Sequence, residues 1–183
     1  RAVGVALENG DELYAKTISS SLDPKRTFLK LIEARHLPDD FLAAINRYRT
    51  RGSSAKVNLA LSALPVVPGA DRAQLATRLR MAPDIDFMER AFDAVKYGEY
   101  SAQPWLEALL PSLADPTLAP AGAHVMSVYA QYAPPVLRAG SWDAARPQLL
   151  TAVLDTLDRY MPGVRALIVA AEVLTPADLA REW

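Results

Sequence analysis

Between Ala55 and Leu61 apolar and polar positions alternate. Ala55, Val57, Leu59 and Leu61 fall on one side of an extended chain, and Lys56, Asn58 and Ala60 on the other. A period of two is the mark of a strand with one buried face. Val3, Val5 and Leu7 alternate in the same way, then comes Asn9-Gly10, then a return run from Leu13 to Ile18. This predicts a β-hairpin with Asn9 and Gly10 as the two left-handed residues of a tight primed turn. The run with Leu75, Thr77, Leu79 and Met81 on one side fits a strand, and also a short helix. Further strands are predicted from Trp105 to near Pro111, in "AHVMSVYAQYA" up to Pro134-Pro135, and in "VRALIVAAEVL". The proline pair ends its strand because proline cannot donate to a ladder.

Helical spacing fills the gaps. Asp23 caps and Pro24 opens a short helix to about Ile32. Leu37, Phe41, Ile45 and Tyr48 define a second helix. Ile85, Met88, Phe92 and Val95 form the stripe of a third, capped by Asp84 and stopped by Gly98. The longest helix carries Leu149, Leu150, Val153, Leu157 and Tyr160 on its stripe, with Pro147 in its first turns, and ends at Met161-Pro162-Gly163. Helices do not follow every strand, so the expected fold is α+β: a mixed, mainly antiparallel sheet of about five strands flanked by helices, with an N-terminal hairpin. Both ends read as cut. The chain opens without methionine at Arg1, and "LTPADLAREW" looks like the start of a helix, with Thr175 as N-cap and Pro176 as first helical residue, stopped at Trp183.

Composition narrows the function classes. Of 183 residues, 51% are apolar and 22% charged, enough for a real core in a globular domain. The net charge of -1 gives no electrostatic case for nucleic acid or an anionic membrane. The absence of cysteine excludes disulfides, thiolate metal sites and thiol catalysis within the chain. His36 and His124 lie far apart and have no metal-ligand spacing. No apolar run approaches the roughly 18 residues of a membrane span, and there is no signal-peptide pattern, so a cytoplasmic location is expected. Dinucleotide, P-loop and nucleophile-elbow fingerprints are all missing.

A few residues could carry chemistry. Lys56 and Asn58 sit on one strand face directly after Gly52-Ser53-Ser54. That face is either solvated or holds a lysine over a reaction centre, and alternation by itself favours the solvated reading. His124, a lone histidine in a β-run, reads as a hydrogen-bonded structural residue or as a pocket acid or base. Trp105, Tyr129 and Tyr132 are core aromatics or an apolar wall for a ligand, with Tyr132 the better pocket candidate.

The order of segments resembles one family. "GVALENGDELYAKTISSSLDPKRTFLKLI" looks like the hairpin and following stretch of flavin-dependent oxidoreductases of the phytoene desaturase and amine oxidase superfamily. "RYRTRGSSAKVNLALSALP", "DFMERAFDAVKYGEYSAQP", "PSLADPTLAPAGAHVMSVYAQYAP" and "LTPADLAREW" resemble its branch of pyridine nucleotide-disulfide oxidoreductase domain-containing proteins. The resemblance implies that residues 1–22 end an FAD-binding domain and that 23–183 are a substrate domain. It implies FAD as cofactor of a longer parent, held by segments not in this sequence, so that this chain would not hold FAD tightly. In flavin amine oxidases a strand preceded by G-S-x-x-K presents a lysine to a water beside flavin N5. Gly52-Ser53-Ser54-Ala55-Lys56 has that form, which makes Lys56 the candidate catalytic lysine, with Asn58 on the same face; Asn58, His124 and Tyr132 are the candidates for the substrate pocket. The expected partner is a small, apolar substrate, with a homodimer possible through surface left exposed. The alternative is a non-catalytic module that keeps the fold and binds a ligand or protein.

Overall fold

The computed structural model describes residues 2–50 and 52–182. Arg1 and Trp183, on which the reading of cut ends rests, lie outside them. The chain forms two compact units, one ending at Thr50 and one made by the remainder. The hairpin and two helices group in the first of them.

In the first unit, β1 (Gly4–Ala6) pairs antiparallel with β2 (Glu12–Tyr14), Gly4 opposite Tyr14 and Ala6 opposite Glu12. The turn corrects the sequence reading. Only Gly10 is left-handed, at φ 91°; no non-glycine residue has positive φ among those described. Asn9 instead accepts from the Asp11 N–H through Oδ1 at 3.1 Å, while Gly10 N–H donates to the Leu7 carbonyl at 2.9 Å. A side-chain bond of this kind shapes the loop without a left-handed asparagine. Helix α1 (Pro24–Lys30) begins where Asp23 accepts from the N–H groups of Lys25 and Arg26. Helix α2 (Asp39–Arg47) meets it through Phe28 and Phe41, edge to face at 4.9 Å. No described residue of this unit is buried.

The second unit is built on five strands: β3 (Ser54–Leu61), β4 (Leu79–Met81), β5 (Trp105–Leu109), β6 (His124–Gln131) and β7 (Ile168–Leu174). Their order is β4-β5-β6-β3-β7 and every pairing is antiparallel. The ambiguous stretch before Met81 takes both forms. A single helical turn, α3 (Arg72–Leu75), is closed by a capping box between Asp71 and Gln74, and β4 follows.

One face of the sheet is the core. Val57, Leu59, Leu61, Leu106, Ala108, Met126 and Val128 are at most 1% exposed, and α5 (Trp142–Tyr160) packs Leu149, Val153 and Leu157 against them. Alternation across the pleat puts the intervening residues on the opposite, polar face. Helix α4 (Ile85–Lys96) packs on the β5 end of that polar face with a stripe rotated from the expected one: Met88 and Phe92 still face the cluster, but Ile85 does not. Phe87 and Ala91 are buried against Trp105, while Ile85 is 76% exposed. The small side chain of Ala91 lets the helix approach the indole closely, and that contact sets the rotation of the helix.

The C-terminal end of the unit is pinned by a charged node. Helix α6 (Pro176–Glu182) starts at Thr175, whose N–H and hydroxyl both donate to Asp178, at 2.9 and 2.7 Å. The Arg146 guanidinium on α5 donates to Asp178 at 2.7 Å and to the Val173 carbonyl. Arg146 beside it, with Thr175 adding two bonds, holds the Asp178 carboxyl well below the usual carboxylate range.

Candidate functional site

The polar face is organised by register. Lys56 lies opposite Tyr129 on β6 and Leu174 on β7, and Tyr129 lies opposite Glu107 on β5, which faces Arg80 on β4. One row across the sheet thus reads Arg80, Glu107, Tyr129, Lys56, Leu174. The Lys56 ammonium stands over the Tyr129 ring, 5.7 Å from its centroid. Neighbouring strands are about 4.8 Å apart, so such a contact spans one strand spacing. Glu107, with a side chain only 14% exposed, is held by Arg78 at 2.9 Å and Arg80 at 3.2 Å.

The next row holds Asn58, opposite Ser127 and Glu172. Its amide N–H donates to the Glu172 carboxylate at 2.8 Å. With the donor nitrogen engaged by Glu172, the carbonyl oxygen Oδ1 is left as an acceptor two residues from Lys56. Beyond this pair lies a shallow concavity of about 280 Å³, lined by Asn58, Leu59, Ala60, Val125, Ala170, Ala171 and Glu172. It is mostly apolar and floored by alanines. Lys56, two residues before Asn58 on the same strand, is not part of its lining.

The remaining sequence candidates separate. Tyr132 sits at the α4 end, edge to face with Phe92 at 5.1 Å and with Trp105 at 6.2 Å. By alternation Trp105 shares the polar face with Glu107, so this aromatic cluster walls one end of it. His124 opposes Leu61 and so belongs to the core side of the sheet, away from Lys56. Its Nδ1 bonds Ser112 Oγ at 3.1 Å, and that hydroxyl also accepts from the Val125 N–H. The two bonds tie the turn at Pro111–Leu113 to β6. The fold brings Lys56 and Asn58 together, sets Tyr132 at the rim and leaves His124 outside.

Glu107 and Glu172 escaped the sequence reading. "WLE" in β5 does announce Trp105 and Glu107 on one face, but nothing local shows that Glu107 shares a row with Lys56. No group of histidine, cysteine or carboxylate side chains that could hold a metal occurs among the described residues. Nor is any described helix long and apolar enough to cross a membrane.

Comparison with known proteins places this geometry in context. The chain is 34% identical over 192 aligned positions to pyridine nucleotide-disulfide oxidoreductase domain-containing protein 2 of Mus musculus, covering 99% of the chain and 33% of that protein. The chain resembles the FAD-dependent oxidoreductases. It is 23% identical to the chloroplastic prolycopene isomerase of Arabidopsis thaliana over 96% of the chain and 28% of the relative. A 73-residue stretch is 38% identical to the lycopene-forming phytoene desaturase of Pseudescherichia vulneris, over 37% of the chain and 14% of the relative. No family model matches. The chain spans about a third of the length of the pyridine nucleotide-disulfide oxidoreductase domain-containing relatives it matches.

Proposed function

We propose that the polar face of the five-stranded sheet is the substrate- and flavin-facing wall of an FAD-dependent oxidoreductase, with Lys56 as its flavin-side cation. The observation that carries this reading is the state of Lys56. It is half-buried, it follows Gly52-Ser53-Ser54, and it forms no ion pair among the described residues. An ammonium that faces a ring and no carboxylate keeps its charge available to an incoming acceptor.

The residues present fit a flavin on this face. Lys56 supplies positive charge, Asn58 a neutral acceptor, and the hollow beside Asn58 an apolar patch of Ala60, Ala170 and Ala171. When bound, FAD would supply at N5 an acceptor for the hydride, the hydrogen and electron pair of a substrate C–H bond. The chain's own residues do the remaining work. Ala60, Ala170 and Ala171 seat an apolar portion of the substrate, and the aromatic cluster of Tyr132, Phe92 and Trp105 closes the α4 end and excludes water. Lys56 stabilises negative charge that develops beside it. The substrate is a small, apolar molecule with an oxidisable C–H bond.

The visible absorption spectrum of the purified full-length parent tests this reading. Bands of bound oxidised flavin are expected. A colourless parent that stays colourless after incubation with FAD removes the enzyme reading and leaves a binding module.

A further inference from the structure

Lys56 has two carboxylates as potential partners on the polar face, and it forms an ion pair with neither among the described residues. Glu107, on the same row, is clamped by Arg78 at 2.9 Å and Arg80 at 3.2 Å. Glu172, on the next row, accepts from Asn58 at 2.8 Å. The remaining neighbour in register is Leu174, which offers nothing polar from its side chain. What meets the ammonium is the ring of Tyr129, 5.7 Å away and directly opposite in register. A cation within about 6 Å of an aromatic centroid is attracted by the negative face of the ring. Unlike a carboxylate, a ring orients the charge without neutralising it.

We infer that Tyr129 is the positioning residue of Lys56: its ring holds the ammonium on the polar face, and the arginine clamp on Glu107 keeps that charge uncompensated. This rests on the flavin-side reading of Lys56 and adds the device that makes the lysine available. The four strands β4, β5, β6 and β3 each contribute one part, namely Arg80, Glu107, Tyr129 and Lys56. The hydroxyl of Tyr129 has no part in it, so phenylalanine should serve as well and leucine should not.

The test reads Lys56 directly. The chain has five lysines, few enough to resolve their ε-methylene signals by NMR. In the unmodified 183-residue chain and in Tyr129→Phe, the Lys56 ε-protons should be shifted upfield by the ring. In Tyr129→Leu they should return to the position of the exposed lysines, with the backbone amide spectrum otherwise unchanged as proof of folding. Ordinary ε-proton positions in the unmodified chain, or an upfield shift that survives Tyr129→Leu, overturn the inference. A second arm uses the reduction potential of the flavin in the full-length parent. Tyr129→Leu should move it in the same direction as Lys56→Met, with Tyr129→Phe at the parent value. If Lys56→Met moves the potential and Tyr129→Leu does not, the positioning role of Tyr129 falls while the flavin-side reading stands. If Lys56→Met itself has no effect, it is that reading which fails.

Discussion

Asp178 shows what a single side chain can decide. It is 6% exposed, and it accepts from Arg146 while capping α6 through Thr175. These bonds depress its folded-state pKa, with Arg146 the largest cause. The resulting stabilisation is fully present above the unfolded-state value of about 3.9 and is lost as pH falls from there toward the lower folded value. Asp178→Asn should therefore lower stability by about 2 kcal/mol at neutral pH, the partial exposure of Arg146 reducing the larger cost typical of a fully buried pair. Urea unfolding at pH 7 and below pH 4 checks this, since the gap between variant and parent should narrow in acid. The sequence announced Thr175 as a cap and Pro176 as the first helical residue. It could not announce Arg146, which lies far away in the chain and meets Asp178 only after α5 and α6 have folded.

At the scale of elements, alternation and caps carried well because they are local. Ala55, Val57, Leu59 and Leu61, the apolar face predicted for β3, are all buried, and Asp23 and Asp84 cap where expected. Helix α4 marks the limit of such reasoning. The stripe read from its spacing included Ile85, which is exposed, and missed Phe87 and Ala91, which are buried with the indole of Trp105 on another element. A larger residue at the point of contact should therefore be felt. Ala91→Leu is expected to cost about 1–3 kcal/mol through overpacking, whereas Ile85→Ala, on the exposed side, should stay within about 0.5 kcal/mol. Thermal melts of the two variants distinguish this rotation from the one that periodicity suggested. The hairpin turn shows the same limit in miniature. Asn9-Gly10 correctly marks a reversal, but the choice between one and two left-handed residues depended on the bond from Asp11 to the Asn9 side chain.

For the molecule as a whole, antiparallel pairing turns residues distant in sequence into a single surface. Lys56, Tyr129 and Glu107 come from three strands, and their shared row is a property of register, which no single segment contains. The lysine itself was legible, as a polar residue alternating with buried ones after Gly-Ser-Ser. Its two-sided isolation from Glu107 and Glu172 was not, because each of those carboxylates bonds a partner placed by the tertiary fold. That isolation underlies the central claim that Lys56 presents an uncompensated charge to a flavin. The most direct measurement is the two-electron reduction potential of the flavin in the full-length parent and in its Lys56→Met variant, at equal flavin content. A cation beside the flavin favours the reduced, more negative form, so its removal should lower the potential, by about 30 mV if the charge contributes about 1.4 kcal/mol. A potential unchanged by Lys56→Met, with flavin still bound, would contradict the account and return Lys56 to the solvated face of a strand.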